Sequence, residues 1–464
     1  MIFASHIFIF GFLPLFLAAY CMVPVRGRSA LILLASYAFY GWWRVAYLAL
    51  VFAISLASYL SAALAARARS EAVRRWAVWL GVASVLGALA YFKYATFVVG
   101  LTSDMTQVFG GSSFATDAVI LPIAISFLSF QAISYILDVA RKDAPPARNL
   151  IDYLAFVSLF PQLIAGPVLR YKDLANQFTD RVHSVQKFSL GVRRFAEGLA
   201  MKVLLADTIA PLADRAFALP DPTMAEAWLG AVAYSIQLLF DFAGYSAMAI
   251  GLGLMIGFSF TENFNAPYVS TSVTEFWRRW HISLSAWLRD YLYVPLGGNR
   301  GGTLATYRNL MLTMVLGGLW HGANLTFVLW GAWHGLALSI ERLLGVRAGR
   351  SALPWGLSWL ATMLIVLLGW VMFRAVDVAQ AFSMYQGMFG FNGYSFTASF
   401  LYATQQIEVV ALTIGILLST VAPHLRFADF EWPFARVTLS ACFMVAASFV
   451  LSARLHSPFL YFQF

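Results

Sequence analysis

Two histidines and a carboxamide stand in a stretch where nothing else carries charge. Residues 310–340, LMLTMVLGGLWHGANLTFVLWGAWHGLALSI, contain no Asp, Glu, Lys or Arg, yet they hold His321, Asn324 and His334. A polar or ionisable side chain inside an apolar run is expensive and by default marks a functional site. Imidazole accepts a proton near neutral pH, and a base that deprotonates a hydroxyl for acyl transfer needs little more. The plainer alternative is a helix–helix hydrogen bond. His321 is favoured for chemistry and His334 for structure. One continuous helix would project residues 13 apart to different faces, so the two share a site only if the helix breaks at Gly322–Asn324. Gly317, Gly318 and Gly322, then Gly331 and Gly335, allow close helix packing or close approach of a ligand to backbone.

A second group lies upstream, in residues 275–302, EFWRRWHISLSAWLRDYLYVPLGGNRGG. Read as one helix, Arg278, His281, Ser285 and Arg289 follow at spacings of 3, 4 and 4 and form a polar stripe. Trp280, Leu284, Trp287 and Tyr291 form the opposite, aromatic stripe. An interfacial helix with snorkelling arginines is the plain reading. His281 on the cationic stripe tips it toward an anionic ligand, such as the phosphates of a nucleotide-like acyl donor, with Arg278, Arg279 and Arg289 as candidate contacts. Asp241 stands alone in the apolar stretch 237–268, where an ion-pair or hydrogen-bond partner on a neighbouring helix explains it at least as well as a direct role. In residues 161–171, PQLIAGPVLRY, Gly166-Pro167 predicts a kink or re-entrant turn. Nucleophile-elbow, HExxH, kinase and Walker motifs are absent. The histidines are too sparse for a metal site, and Cys21 and Cys442 sit in apolar runs at opposite ends of the chain, where they read as inert.

The elements that must hold these residues follow from composition. The chain has 464 residues, 61% hydrophobic and 11% charged, with mean hydropathy +0.73. Soluble domains run at ~45–50% apolar and ~25% charged, so an ordinary soluble enzyme, a disordered protein and a disulfide scaffold are excluded. At ~20 residues per crossing there is room for about a dozen spans. The net charge of +9 reads as cytoplasmic loop charge, and no basic run with interleaved aromatics suggests nucleic acid. Residues 7–24 lack a charged leader and read as a retained first span. Residues 29–43 and 45–66 read as two spans or as a hairpin dipping into the bilayer, and spans follow at 76–100 and 119–140. Residues 67–75 and 141–149 are basic while 101–117 hold no Lys or Arg, which places the first two in the cytoplasm and the third, with the N-terminus, outside. The cation-free interval between Arg374 and Arg426 places 386–405 outside as well. Residues 141–215 and 271–300 are too charged for spans and too apolar for loops, so they read as interfacial or re-entrant helices. With no repeat or linker, one membrane domain over 1–464 is expected.

The block 276–300, with GGLWHGAN at 317–324 and GAWHG at 331–335, resembles the membrane-bound O-acyltransferase family, most closely its alginate-acetylating branch. LIAGPVLR at 163–170, FDFAGYS at 240–246, ENFNAPY at 262–268 and FIFGFLPLFLAAY at 8–20 extend the resemblance over roughly residues 1–380. It implies an all-α integral membrane protein of about 11–13 embedded helices, arranged in a ring around a thin centre with a cytoplasmic funnel. It implies transfer of an acyl group from a thioester donor to a hydroxyl, with His321 as catalytic base and His281 as a second functional position. One departure is Ala247, where the branch carries an acidic residue after Gly-Tyr-Ser.

The expected function is therefore polysaccharide O-acetylation from the bacterial inner membrane, with alginate as the first choice of polymer and cellulose or peptidoglycan as alternatives. No permanently bound cofactor or metal is expected. Acetyl-CoA or a carrier-protein thioester would be the donor substrate. Partners would be the bilayer and periplasmic acetyltransferase subunits. Asn324 and Asp241 complete the candidate substrate contacts. Two competitors from other classes are a transporter that moves polysaccharide or acyl groups without chemistry, and a scaffold recruiting partners through 386–405.

Overall fold

The computed structural model describes residues 1–109, 119–163, 166–346, 353–424, 433–453 and 460. Every regular element among them is helical. Five helices are long and apolar enough to cross a membrane: Ala46–Arg67, Glu71–Gln107, Met224–Met255, Trp355–Arg374 and Gln406–His424. Shorter apolar helices cover Ile7–Met22, Leu150–Leu163 and Val437–Ala453. The chain is an all-α, multi-pass membrane protein. It divides into two compact units, Met1–Val192 with Ala249–Thr261, and Arg193–Met248 with Glu262–Phe464.

The first unit contains α1 (Leu13–Met22), α2 (Arg28–Gly41), α3 (Ala46–Arg67), α4 (Glu71–Val108), α5 (Ile125–Arg141) and α6 (Leu150–Val157). Its packing follows from small residues on α3. Ser55, Ser58 and Ser61 recur every three residues, fall on one face and are buried. Each hydroxyl finds a partner: Ser55 donates to Val51 O at 2.7 Å, Ser58 pairs with the Tyr153 hydroxyl at 2.6 Å, and Ser61 donates to Ala77 O at 2.8 Å. Gly81 of α4 packs directly over Ser61, a close approach that apolar bulk would forbid. The Ser70 hydroxyl caps α4 by accepting from Val73 N–H at 3.3 Å. This helix runs on to Val108, so the start of the expected external loop at 101–117 is helical. Residues 110–118 lie outside the described residues. At the expected break near Gly166, the short helix Phe160–Leu163 stops and Gly166 N–H donates to Gln162 O at 3.0 Å. Residues 164–165 lie outside the described residues.

Helices α7 (Val185–Ala200) and α9 (Met224–Met255) run from one residue range into the other, with α8 (Asp207–Ala218) between them in sequence. The second unit continues with α10 (Val273–Arg279), α11 (Ile282–Leu288), α12 (Gly302–His321), α13 (Leu325–Leu343), α14 (Trp355–Arg374), α15 (Val378–Met388), α16 (Gln406–Thr420) and α17 (Pro433–Ala453). Its core is aromatic. Phe276, Trp280, Trp330 and Trp370 are almost fully buried, with Trp280 and Trp370 ring centroids 4.8 Å apart and Trp330 stacked on Trp370 at 6.0 Å. Such rings contribute ~150–250 Å² of buried surface each, enough to fix the helices that carry the candidate residues.

Candidate functional site

The charge-free run 310–340 is a helical hairpin, not one span. Helix α12 ends at His321, Gly322 is extended, and α13 begins after Asn324. Asn324 explains the restart. Its side-chain oxygen accepts from Thr326 N–H at 3.1 Å while its amide donates to Val376 O at 2.6 Å, a helix N-cap that also ties down the segment after α14. The two arms touch through glycine. A methyl group at Gly318 would strike the Phe327 carbonyl, and one at Gly331 would strike the Met314 carbonyl.

The break brings the two histidines to one aromatic ring. Trp330, itself 1% exposed, has its ring centroid 5.2 Å from His321 and 5.1 Å from His334. They are not equivalent. His334 is fully buried among Trp277, Trp330 and Phe276. His321 lies against Trp330 and Phe373 and lines a cavity of about 420 Å³.

That cavity gathers much of the expected polar stripe. Arg278, Ser285 and Arg289 line it together with Thr274, Tyr293 and Thr313, while Trp277, Leu284, Leu288 and Met314 supply apolar wall. Arg278 and Arg289 are exposed, and Arg278 makes no ion pair among the described residues. Arg289 is held by Asp290 at 2.7 Å. The site thus combines cations, an apolar body and an imidazole on the wall, an arrangement suited to a long amphiphile with an anionic end.

His281 departs from the expectation. The segment is two helices, and His281 sits at the break in the left-handed region with φ 43° and ψ 54°. That turn swings its ring off the stripe, and it is not among the described residues lining the cavity. It packs edge-on against Phe242 at 4.6 Å and donates through Nδ1 to the Asn263 side-chain oxygen at 3.1 Å. The Asn263 assignment is fixed because the same oxygen accepts from Ser283 N–H and Oγ–H. His281 Nε2 is consequently a bare acceptor, buried and without a partner among the described residues. His281 lies outside the five candidate spans, and burial pushes its imidazole down to about 3, so the ring is neutral.

The remaining expected residues are held by structural bonds. Arg279 pairs with Glu275 at 2.9 Å and donates to Asn265 O at 3.1 Å. Burial raises the Glu275 carboxyl, but donation from the Thr271 N–H, Arg279 and the Thr271 hydroxyl outweighs it and holds the group below its ordinary value. Asp241 is buried against Lys202 at 2.6 Å and accepts from Leu460 N–H at 3.1 Å. Lys202, 1% exposed, also binds Asp207 at 2.5 Å. The ion-pair reading of Asp241 therefore describes its surroundings.

Sequence reasoning missed four positioning groups. Glu341 of α13 accepts from Val273 N–H at 2.5 Å and from Thr274 N–H at 2.8 Å, fastening the N-terminus of α10 to the hairpin. Asn263 orients His281, and Trp330 separates the histidines. Only Ser272, which caps α10 by accepting from Glu275 N–H at 3.0 Å, left a local signal, the Ser-x-x-Glu spacing.

Comparison with known proteins gives the family. The model of MBOAT, the membrane-bound O-acyltransferase family, matches residues 140–354, which include both histidine segments. The probable alginate O-acetylase AlgI of Pseudomonas aeruginosa is 55% identical over 420 residues, covering 90% of this chain and 79% of the relative. The probable alginate O-acetylase AlgI of Azotobacter vinelandii is 47% identical, with 100% of both chains covered. The peptidoglycan O-acetyltransferase of Helicobacter pylori is 34% identical over 100% of this chain and 98% of the relative. The chain belongs to the membrane-bound O-acyltransferase family. It is an O-acyltransferase.

Proposed function

We propose that this chain acetylates alginate from the bacterial inner membrane, taking acetyl groups from a cytoplasmic thioester and passing them toward periplasmic acetyltransferase subunits. The carrying observation is the placement of His321 on the wall of a cavity that also holds Arg278 and Arg289. Acetyl-CoA or an acyl-carrier thioester fits that wall, its phosphates on the arginines and its thioester arm along Leu284, Leu288 and Met314. His321 takes the proton from the acceptor hydroxyl as its oxygen attacks the thioester carbonyl. The tetrahedral adduct collapses with cleavage of the C–S bond, and the imidazolium returns the proton to the departing thiolate. The products are an ester and a free thiol. His281, neutral and off the cavity wall, serves this reaction through its place in the fold.

Alginate is favoured over peptidoglycan because the alginate-named relatives are 55% and 47% identical and the peptidoglycan-named relative 34%. The test is His321→Ala in cells, with membrane levels matched by immunoblot, and O-acetyl content measured separately on alginate, cellulose and peptidoglycan. Alginate loses its acetyl groups while the other two polymers keep theirs. Normal acetylation of all three ends the catalytic role of His321, and loss confined to peptidoglycan or cellulose moves the substrate there.

A further inference from the structure

Outside the acyl-transfer site, the first unit holds a basic groove of about 390 Å³ between the start of α4 and the end of α5. Arg74, Arg75, Arg141 and Lys142 line it against a single carboxylate, Glu71, and Trp79 forms part of its wall. Helix spacing produces the groove, because residues 71, 74, 75, 78 and 79 share one face of α4 and 137, 140 and 141 share one face of α5. Glu71 bonds both Arg74 and Arg75, holding the guanidinium groups side by side. Arg75 uses only its Nε for this bond, at 3.1 Å, which leaves both Nη groups available. Lys142 makes no ion pair among the described residues.

Helix α4 is a candidate span, so this charged end faces a membrane surface. The positive-inside pattern puts that surface on the cytoplasmic side. Apolar surface continues from the groove: Trp76 and Trp79 are 67% and 70% exposed, the interfacial position that indole rings favour. Cations at one end and membrane-facing apolar helix at the other match an amphiphile with an anionic head. We propose that the groove binds the phosphodiester headgroup of an anionic phospholipid, whose acyl chains run along α4 and α5. The site is independent of acyl transfer, and its test reads lipid binding alone.

The test uses the full-length chain in neutral-detergent micelles and a fluorescent phosphatidylglycerol as probe. Arg75→Gln with Lys142→Asn removes two cations, Asn being chosen because residue 142 has φ 65°. Binding weakens by about 30-fold. Arg26→Gln with Arg44→Gln removes the same charge from other exposed positions and leaves binding within twofold. Melting in the same micelles shows that each variant is folded. Unlabelled phosphatidylglycerol displaces the probe, whereas phosphatidylcholine and inorganic phosphate do not. The proposal is overturned if the groove variant binds like the parent, if phosphatidylcholine competes equally, or if inorganic phosphate displaces the probe at equal concentration.

Discussion

Gly331→Ala tests whether the hairpin's contact distance sets the geometry of His321. An added Cβ would stand 2.9 Å from both Met314 C and Val315 Cα, with the Met314 carbonyl oxygen nearer still. Ordinary contact begins at 3.4 Å, and the carbonyl oxygen, as the nearest atom, requires α12 and α13 to separate by about 1 Å. The obstructing atoms are helix backbone and cannot swing aside as a long side chain would. Overpacking of this kind costs ~1–3 kcal/mol of stability. The functional effect is larger than that suggests, because Trp330 adjoins Gly331 and lies against His321 at 5.2 Å. A ~1 Å misplacement of catalytic geometry costs ~10²-fold in rate, and a loss of that order is the prediction. The assay is single-turnover acetyl transfer by purified protein, beside cellular O-acetyl content at matched membrane levels. Gly356→Ala on α14 is the control, since nothing lies within 4 Å of its added methyl. Full activity of Gly331→Ala at normal abundance would refute the claim that close helix approach positions the base.

Three further outcomes separate binding from scaffolding. Lys202→Met leaves Asp207 and Asp241 without their buried cation, which destabilises by ~3–5 kcal/mol. Membrane abundance and melting temperature fall, and adding Asp207→Asn and Asp241→Asn restores much of both. Arg278→Ala removes a cavity-lining charge and raises the KM for the donor by ~10–100-fold, the equivalent of one hydrogen bond to a charged group, with weaker dependence on salt. Arg279→Ala instead lowers melting temperature with donor KM unchanged, because its bonds go to Glu275 and Asn265.

Legibility in the sequence followed the range of the interaction. Membrane crossing was plain because a bilayer demands long apolar runs, and α3 and α4 sit where those runs lie. The possible break at Gly322–Asn324 was readable as an alternative, since Asn before an apolar run is an N-cap signal. The helical-wheel stripe was correct for Arg278, Ser285 and Arg289 and misled for His281. A wheel assumes one φ,ψ throughout, and a single residue at φ 43° redirects its own side chain. Nothing local predicts that departure, which Asn263 stabilises from a separate strip of chain.

By itself, then, the sequence determined the solvent this chain folds in, the helical class that solvent enforces, and His321 as the imidazole worth attention. Backbone polarity in lipid permits little else, and motif spacing needs no tertiary contact to be read. Only the tertiary structure decided which side chains share the cavity. It joined Arg278, Arg289 and His321 across three helical segments, assigned Asp241 to a buried lysine, and withdrew His281 behind Asn263. Those outcomes depend on how the helices pack against one another, and packing is settled by shape and hydrogen-bond satisfaction among residues far apart in the chain.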